Sequence, residues 1–447
     1  MTTYHLRNRD TGQPCVQALR RALGGGRDVY VVGKGPSLDE LAEADFAEYP
    51  DAPILCVNEA VHAVERLDLD PSRLFCVQYD RLPRCNRPAR ATWLLSSYAY
   101  GEQGGAEAGA VRYDLDAIAP HKPNLTASTA LSIAALAGAN HAFMLAFDAA
   151  FPPGDCGYAA SVSHGPELVR QHPRRFVHFA DKAIPARAAE EGVRLTWQTP
   201  RDFWLVALVL RSGGQYDLRH VEAIAGLIGR NLQTPHGIVL LTDVPGDASA
   251  WRSVRLAHDW PGWFAKLELF RPDLGWRGGV LFTDLDNYFG RPFTLPRWDT
   301  LKPGALYMPR DPYRDMWISA LMAWRMGSVA EPYSLFRDRP VTRHPGNRVH
   351  SDQEVVNEAM AGRIETLEWL ATASYKAHHP QPDGVDCVLF HGHPKPWDVG
   401  LVPGLPPSTP EPRKPQKPVG AVRPHDPRAT VARFLKDNPQ FARTTTP

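Results

Sequence analysis

An apolar run, Val280-Leu-Phe-Thr283, leads directly into Asp284-Leu-Asp286. On an extended chain, residues two apart point the same way, so two carboxylates are expected to converge at the end of a buried strand. Such a pair is costly unless a cation lies between them. Hard oxygen donors suit Mg2+ or Mn2+, which also grip a nucleotide diphosphate. Farther on, Ser351-Asp352-Gln353 opens a helical stretch that reaches Met360, with Ser351 or Asp352 as a natural N-cap. Last comes Val388-Leu-Phe-His391-Gly-His393-Pro-Lys395-Pro-Trp397. Its histidines are borderline nitrogen ligands, Lys395 offers a positive charge to phosphate, and Gly392 lets phosphate oxygens approach the backbone.

Other polar residues follow apolar runs in the same way. Tyr216, in Arg211-Ser-Gly-Gly-Gln-Tyr-Asp217, is placed to stack on a base, and Asp243 to accept from a base or ribose. Nearer the start, Gly33-Lys34-Gly35-Pro-Ser37 leaves an apolar run and opens a helix, a setting that favours an anion. Asn58, Asp80, Asn124 (before an Ala-rich helix) and Asp148 stand at comparable points after later runs.

The elements that must position these groups come in two series. The first starts at Asp28–Val32 and continues through a helical stretch, 38–48, and apolar runs at 54–57, 74–77, 93–95 and 142–147. A buried helix is expected at 126–138, and the series closes near 193–197. The second starts at Phe203–Leu210, followed by a helix at 218–229 and runs at 237–243, 279–283 and 387–390. Strands alternating with helices predict α/β architecture with parallel sheets. The expectation is two Rossmann-like domains, 1–199 and 200–402, and a Pro-rich tail, 403–447. Nine prolines between Pro403 and Arg428 make the tail an extended linker. Its last stretch, Val431–Lys436, reads as one or two helical turns or as disordered chain.

Composition narrows the function classes. The 447 residues suit two or three domains at roughly 150 residues each. Lys+Arg of 50 against Asp+Glu of 49 excludes a chain-wide basic footprint for nucleic acid. No apolar run is long enough for a membrane span, and the N-terminus has no signal-peptide core. Six cysteines without CxxC spacing read as thiols in a reducing cytoplasm, with a lone pairing still open.

The order of Lys266, Asp284-x-Asp286, Asp352-Gln353 and Gly392-x-x-Lys395-Pro-Trp resembles the glycogenin-like retaining GT-A glycosyltransferases, over about residues 203–398. The resemblance implies a GT-A nucleotide-diphospho-sugar transferase fold in the second domain. It implies Mn2+ (or Mg2+) held by Asp284, Asp286 and a histidine, and a nucleotide-sugar donor, expected to be a UDP-sugar. Gly392 and Lys395 would close on the diphosphate, Lys266 would precede the metal strand, and Asp352 and Gln353 would sit near the reacting sugar. Cleaving the sugar–phosphate bond leaves negative charge on the diphosphate, which a cation and Lys395 stabilise as it develops. One position departs from the pattern: Leu389 stands where the family keeps its histidine. His391, directly after the apolar run, is favoured as the substitute, and His393 stays open.

Residues 28–197 resemble the family-42 sialyltransferases and 6-hydroxymethylpterin diphosphokinase-like proteins, through Gly33-x-Gly35-Pro-Ser37, Asn58, Pro123-Asn124 and the strand ending in Asp148. That likeness implies a nucleotide-binding domain, with His178 as base and His164 as competitor. The acceptor implied for the whole chain is a glycan, a protein or modified DNA. A non-catalytic nucleotide-binding scaffold is the alternative of a different class.

Overall fold

The computed structural model describes residues 12–80, 86–114, 118, 126–147, 184–244, 252–340, 351–378 and 383–408. The architecture is α/β, built on a mainly parallel sheet of 14 strands. In the first half, β1 (Asp28–Val32), β2 (Ile54–Val57), β3 (Leu74–Gln78), β4 (Thr92–Ser96) and β5 (Val111–Tyr113) extend outward in order. The chain then returns to the other side of β1 with β6 (His141–Leu145) and β7 (Arg194–Gln198), and every pairing here is parallel.

The second half repeats the manoeuvre. β8 (Trp204–Leu210), β9 (His236–Thr242) and β10 (Arg252–Arg255) run one way, and β11 (Trp276–Thr283) lies on the other side of β8. The short strands β12 (Tyr288–Phe289), β16 (Thr372–Ser374) and β17 (Cys387–Leu389) form a separate small sheet. β13 (Leu306–Met308), β14 (Leu321–Met326) and β15 (Ile364–Thr366) finish the large one, with β14 antiparallel to β11.

Side-chain alternation assigns the core. Trp204, Val206, Leu208 and Leu210 of β8 pack under the helix Leu218–Asn231. Leu205 and Ala207 point the other way, toward the segment Gly262–Phe270 and the helix Asp352–Ala359. In the first half, Val29 and Val31 face the helices Pro14–Leu23 and Thr126–Ala137, while Tyr30 and Val32 face Leu38 and Phe46. Each half therefore has an apolar layer on both faces of the sheet, as a period of two on fully buried strands requires.

Two findings differ from the sequence reading. The expected helix at 38–48 is a pair of 3-10 turns, Pro36–Glu40 and Glu43–Phe46. Ala42 between them is extended, and the Asp45 carboxylate accepts from its N–H at 2.9 Å, closing a turn in place of a continuing helix. The two strand series also share one sheet. Trp276 and Arg277 of β11 pair with Trp197 and Gln198 of β7, after which β14 takes over that edge. Gly278, with φ +148, makes the handover; a Cβ there would lie 2.0 Å from Thr199 Oγ1.

Among the described residues no helix is long and apolar enough to cross a membrane. Cys15, Cys56, Cys76 and Cys387 are buried, and Cys85 and Cys156 lie outside the described residues. So do His178, His164, Asn124, Asp148 and the tail from 409 onward.

Candidate functional site

In an open α/β sheet, ligands bind beyond the carboxyl ends of the strands where strand order reverses. In the second half that point lies between β8 and β11, and it receives the Tyr216 loop and Asp284-Leu-Asp286. The strand stops at Thr283 and the backbone turns. The Asp284 N–H donates to Ala320 O at 2.8 Å, and Asn287 Nδ2 donates to Thr283 Oγ1 at 2.9 Å and to Ala320 O at 2.8 Å. Because extended geometry ends there, the two aspartates do not point side by side as the spacing suggests. Each takes a different lysine.

Asp284 meets Lys266, whose Nζ lies 2.7 Å from Oδ1 and 3.0 Å from Oδ2. The same ammonium lies 3.1 Å from Asp352 Oδ2, which also accepts from Ser319 Oγ at 2.5 Å. Lys266 is buried, and so is Asp352. Burial opposes the ammonium charge, but Asp284 and Asp352 more than offset it, so the Lys266 pKa is raised. Burial raises Asp284; Lys266 pulls it down, and the charges of Asp286 and Asp352 push it up again. Ser351, not Asp352, caps the helix, through a reciprocal pair of bonds with Glu354, which leaves the Asp352 carboxylate for Lys266.

Asp286 meets Lys395. The ammonium contacts Asp286 Oδ2 directly and donates to Tyr216 Oη at 2.9 Å, and Tyr216 donates to the same carboxylate oxygen at 2.9 Å. All three side chains lie in a closed triangle, and burial together with Asp286 raises the Tyr216 phenol pKa. The Tyr216 ring packs edge-on against His220 and Trp397, so its expected place against a base is taken by protein. Asp243 is similarly engaged: Ser212 donates to its two oxygens from N and Oγ, both at 2.6 Å, and Arg211 lies at 3.3 Å.

The late segment separates its histidines. His391 Nε2 is buried and bonds to nothing among the described residues. Burial lowers the His391 pKa, against Asp311 and Asp286 nearby, which leaves a neutral imidazole. His393 faces away, to Ser408 Oγ at 2.8 Å and the Asp398 carboxylate at 3.8 Å. Asp398 closes the loop by accepting from the Lys395 N–H at 2.8 Å. Gly392 has φ +67, a conformation that L side chains resist. Gln353 Nε2 donates to Asp311 Oδ2 at 3.0 Å instead of reaching Asp352.

Two carboxylates and a neutral imidazole are donor types that suit a divalent cation, but here both carboxylates are engaged by lysines. Among the described residues, no three His, Cys, Asp or Glu side chains are gathered closely enough to hold one. Ser319, Asp311 and the hydroxyl role of Tyr216 were missed by sequence reasoning. Ser319 and Asp311 carry no local signal; Tyr216 was singled out for its ring.

The first half has its own reversal point, between β1 and β6. Gly33 N donates to Leu145 O at 2.8 Å and Gly35 N to Ala146 O at 2.7 Å, tying the two strand exits together. A Cβ on Gly33 would lie 2.5 Å from Ala146 O. Among the described residues, two non-glycines have positive φ, Asn58 (+51) and Ala146 (+54), and they flank the β1 exit on either side. Asn58 is buried, reaches Thr126 Oγ1 at 3.4 Å through Nδ2, and its Oδ1 has no hydrogen-bond partner among the described residues. Ser37 is also fully buried here. Strain and an unsatisfied buried group at one strand edge are features that functional sites concentrate.

No protein-family model matches the chain, and no curated protein does. Among solved structures, the galactosyltransferase LgtC, in complex with donor and acceptor sugar analogues, is similar over 43% of this chain and 89% of its own, at 11% identity and a TM-score of 0.33. The glycosyltransferase GlyE of Streptococcus pneumoniae TIGR4 is similar over 52% of this chain and 63% of its own, at 14% identity and a TM-score of 0.33.

Proposed function

We propose that the protein is a metal-dependent glycosyltransferase that moves a sugar from a nucleotide-diphosphate donor, a UDP-sugar in the first instance, to a glycan, protein or modified-DNA acceptor. The observation that carries this reading is the gathering of Asp284, Asp286, Asp352, Lys266 and Lys395 at the β8/β11 reversal, where open α/β sheets bind ligands. Asp284, Asp286 and His391 would hold the divalent cation, which when bound supplies positive charge to the leaving diphosphate. Lys395 adds a second positive charge at the strand edge. Lys266 neutralises Asp284 and Asp352 and keeps both carboxylates in place. Asp352, with Gln353 one residue on, supplies the polar wall for the reacting sugar. The retaining course of the reaction rests on the resemblance of the sequence motifs.

Residues 1–199 and 200–402 act in this reading as two ligand-binding units, with 403–447 as a tail. The first unit takes a nucleotide at Gly33, Gly35, Ser37, Asn58 and Asn124, with His178 as base.

The test is donor hydrolysis with Mn2+ across a panel of nucleotide sugars. Turnover with one donor, lost in EDTA and in Asp286→Ala, is expected. Turnover that persists undiminished in EDTA would remove the metal from the reading. The second reading, a nucleotide-binding scaffold without chemistry, is favoured by the engagement of both aspartates with lysines. Binding of nucleoside diphosphate with no turnover on any donor would select it.

A further inference from the structure

Lys376 takes no part in the site as described above, yet the small sheet delivers it there. β16 and β17 are parallel, with Ser374 in register with Leu389. Tyr375 N donates to Leu389 O at 2.9 Å, and the Tyr375 ring stacks on Phe390 at 4.6 Å between centroids and 18° between planes. The two chains therefore leave their strands side by side, and Lys376 comes to rest against His391 and Gly392. Its Nζ lies 3.6 Å from the point a Cβ on Gly392 would occupy.

Burial and then the charge of Lys395 disfavour the Lys376 ammonium, and on His391 both lysines oppose Asp311 and Asp286. Lys376 is exposed and forms no ion pair among the described residues. Lys395, by contrast, is buried and engaged with Asp286 and Tyr216. Asp286 already compensates Lys395, so Lys376 is the ammonium left to meet an incoming anion. Gly392 between them carries no side chain, so a phosphate can approach its backbone.

We propose that Lys376 is a second diphosphate-binding cation, which with Lys395 forms a pair spanning Gly392. The inference rests on the donor reading given above and assigns the first contact to the lysine that starts unengaged. An incoming diphosphate meets Lys376 at the rim, and Lys395 then exchanges Asp286 for phosphate.

The test is calorimetric titration of the full chain with inorganic pyrophosphate and with ADP, CDP, GDP and UDP, each with Mg2+. Wild type is compared with Lys376→Ala, Lys376→Arg and Lys395→Ala. Lys376→Ala is expected to weaken the tightest-binding nucleoside diphosphate about tenfold, the scale of one charge-assisted contact. Its affinity should also depend less steeply on salt, and Lys376→Arg should recover most of the loss. The corresponding uncharged nucleoside should bind all variants alike. Unchanged affinity in Lys376→Ala beside a loss in Lys395→Ala overturns this inference and leaves the donor reading standing. Failure of every diphosphate to bind wild type overturns both. An equal loss for the uncharged nucleoside makes Lys376 structural and also overturns it.

Discussion

The two halves of the sheet solve the same topological problem with opposite chemistry. In each, strands run out one way, the chain returns to the far side of the first strand, and polar residues gather at the strand exits between. At the β1/β6 exit they are mostly uncharged: glycine backbone, Ser37, and an Asn58 held at positive φ whose Oδ1 has no partner among the described residues, with Lys34 in the turn between the glycines. At the β8/β11 exit they are charged, and three carboxylates are paired with two ammonium groups: Asp284 and Asp352 with Lys266, Asp286 with Lys395. A neutral edge stores its readiness as backbone strain and an unmade hydrogen bond. A charged edge stores it as ion pairs that a ligand must exchange.

The comparison breaks hardest at Lys266. Lys266→Met leaves the buried Asp352 and the half-buried Asp284 without a cation, so denaturant unfolding should show a loss of about 3 kcal/mol. Adding Asp352→Asn should recover part of it. Asn58→Ala, the matching change in the first half, removes only one long bond and should cost about 1 kcal/mol. Comparable losses from the two would mean that the charged edge is no more strongly coupled than the neutral one.

Next in size is the junction. Gly278→Ala sets a Cβ against Thr199 Oγ1 at a backbone angle that favours glycine. Overpacking and strain of this kind cost about 2–3 kcal/mol. Thermal unfolding should then separate into two transitions, one per half. A single, merely shifted transition would show that the shared sheet edge is not what couples them.

Lys395→Ala should follow. Losing one charge-assisted contact costs about 1.5–3 kcal/mol, so kcat/KM with the true donor should fall by roughly one to two decades, similarly for different sugars. A sugar-dependent loss would move Lys395 away from the phosphates.

The effect confined to the narrowest pH window concerns Asp45, on the first half's side of the junction. It accepts from the Arg201 N–H at 3.1 Å, and burial pushes its pKa up to about 6. The folded state thus holds the proton more tightly than the unfolded chain does. This contribution is complete below the unfolded value near 4 and disappears as pH rises through about 6. The size is on the order of 3 kcal/mol between those limits. Asp45→Asn should flatten the stability profile between pH 4 and 6. A profile that keeps its slope would place the proton elsewhere.

The chain's own order of residues determined a good deal. Apolar runs that end abruptly in polar residues located β1, β8, β9 and β11 within a residue or a few, because a strand buried on both faces must be apolar throughout and must stop where backbone turns toward water. The same rule put Asp284, Asp286, Asn58 and Gly33 at strand exits. Ser351 and Asp352 were both legible as caps, and only the Glu354 bond chose between them.

Partnership was decided in three dimensions. Lys395 meets Asp286 across 109 positions and Tyr216 across 179, and no local pattern encodes such distances. The run at 387–390 located β17, but β16 is three residues, too short for periodicity to mark, so nothing announced that Lys376 would stand beside Gly392. The joining of the halves was equally hidden: two residues of β11 pair with β7 before Gly278 turns the strand away. Burial against water is a property of each residue with its neighbours in sequence, so it can be read along the chain. Charge pairing and sheet continuation depend on which elements meet after folding, and only the tertiary structure fixes that.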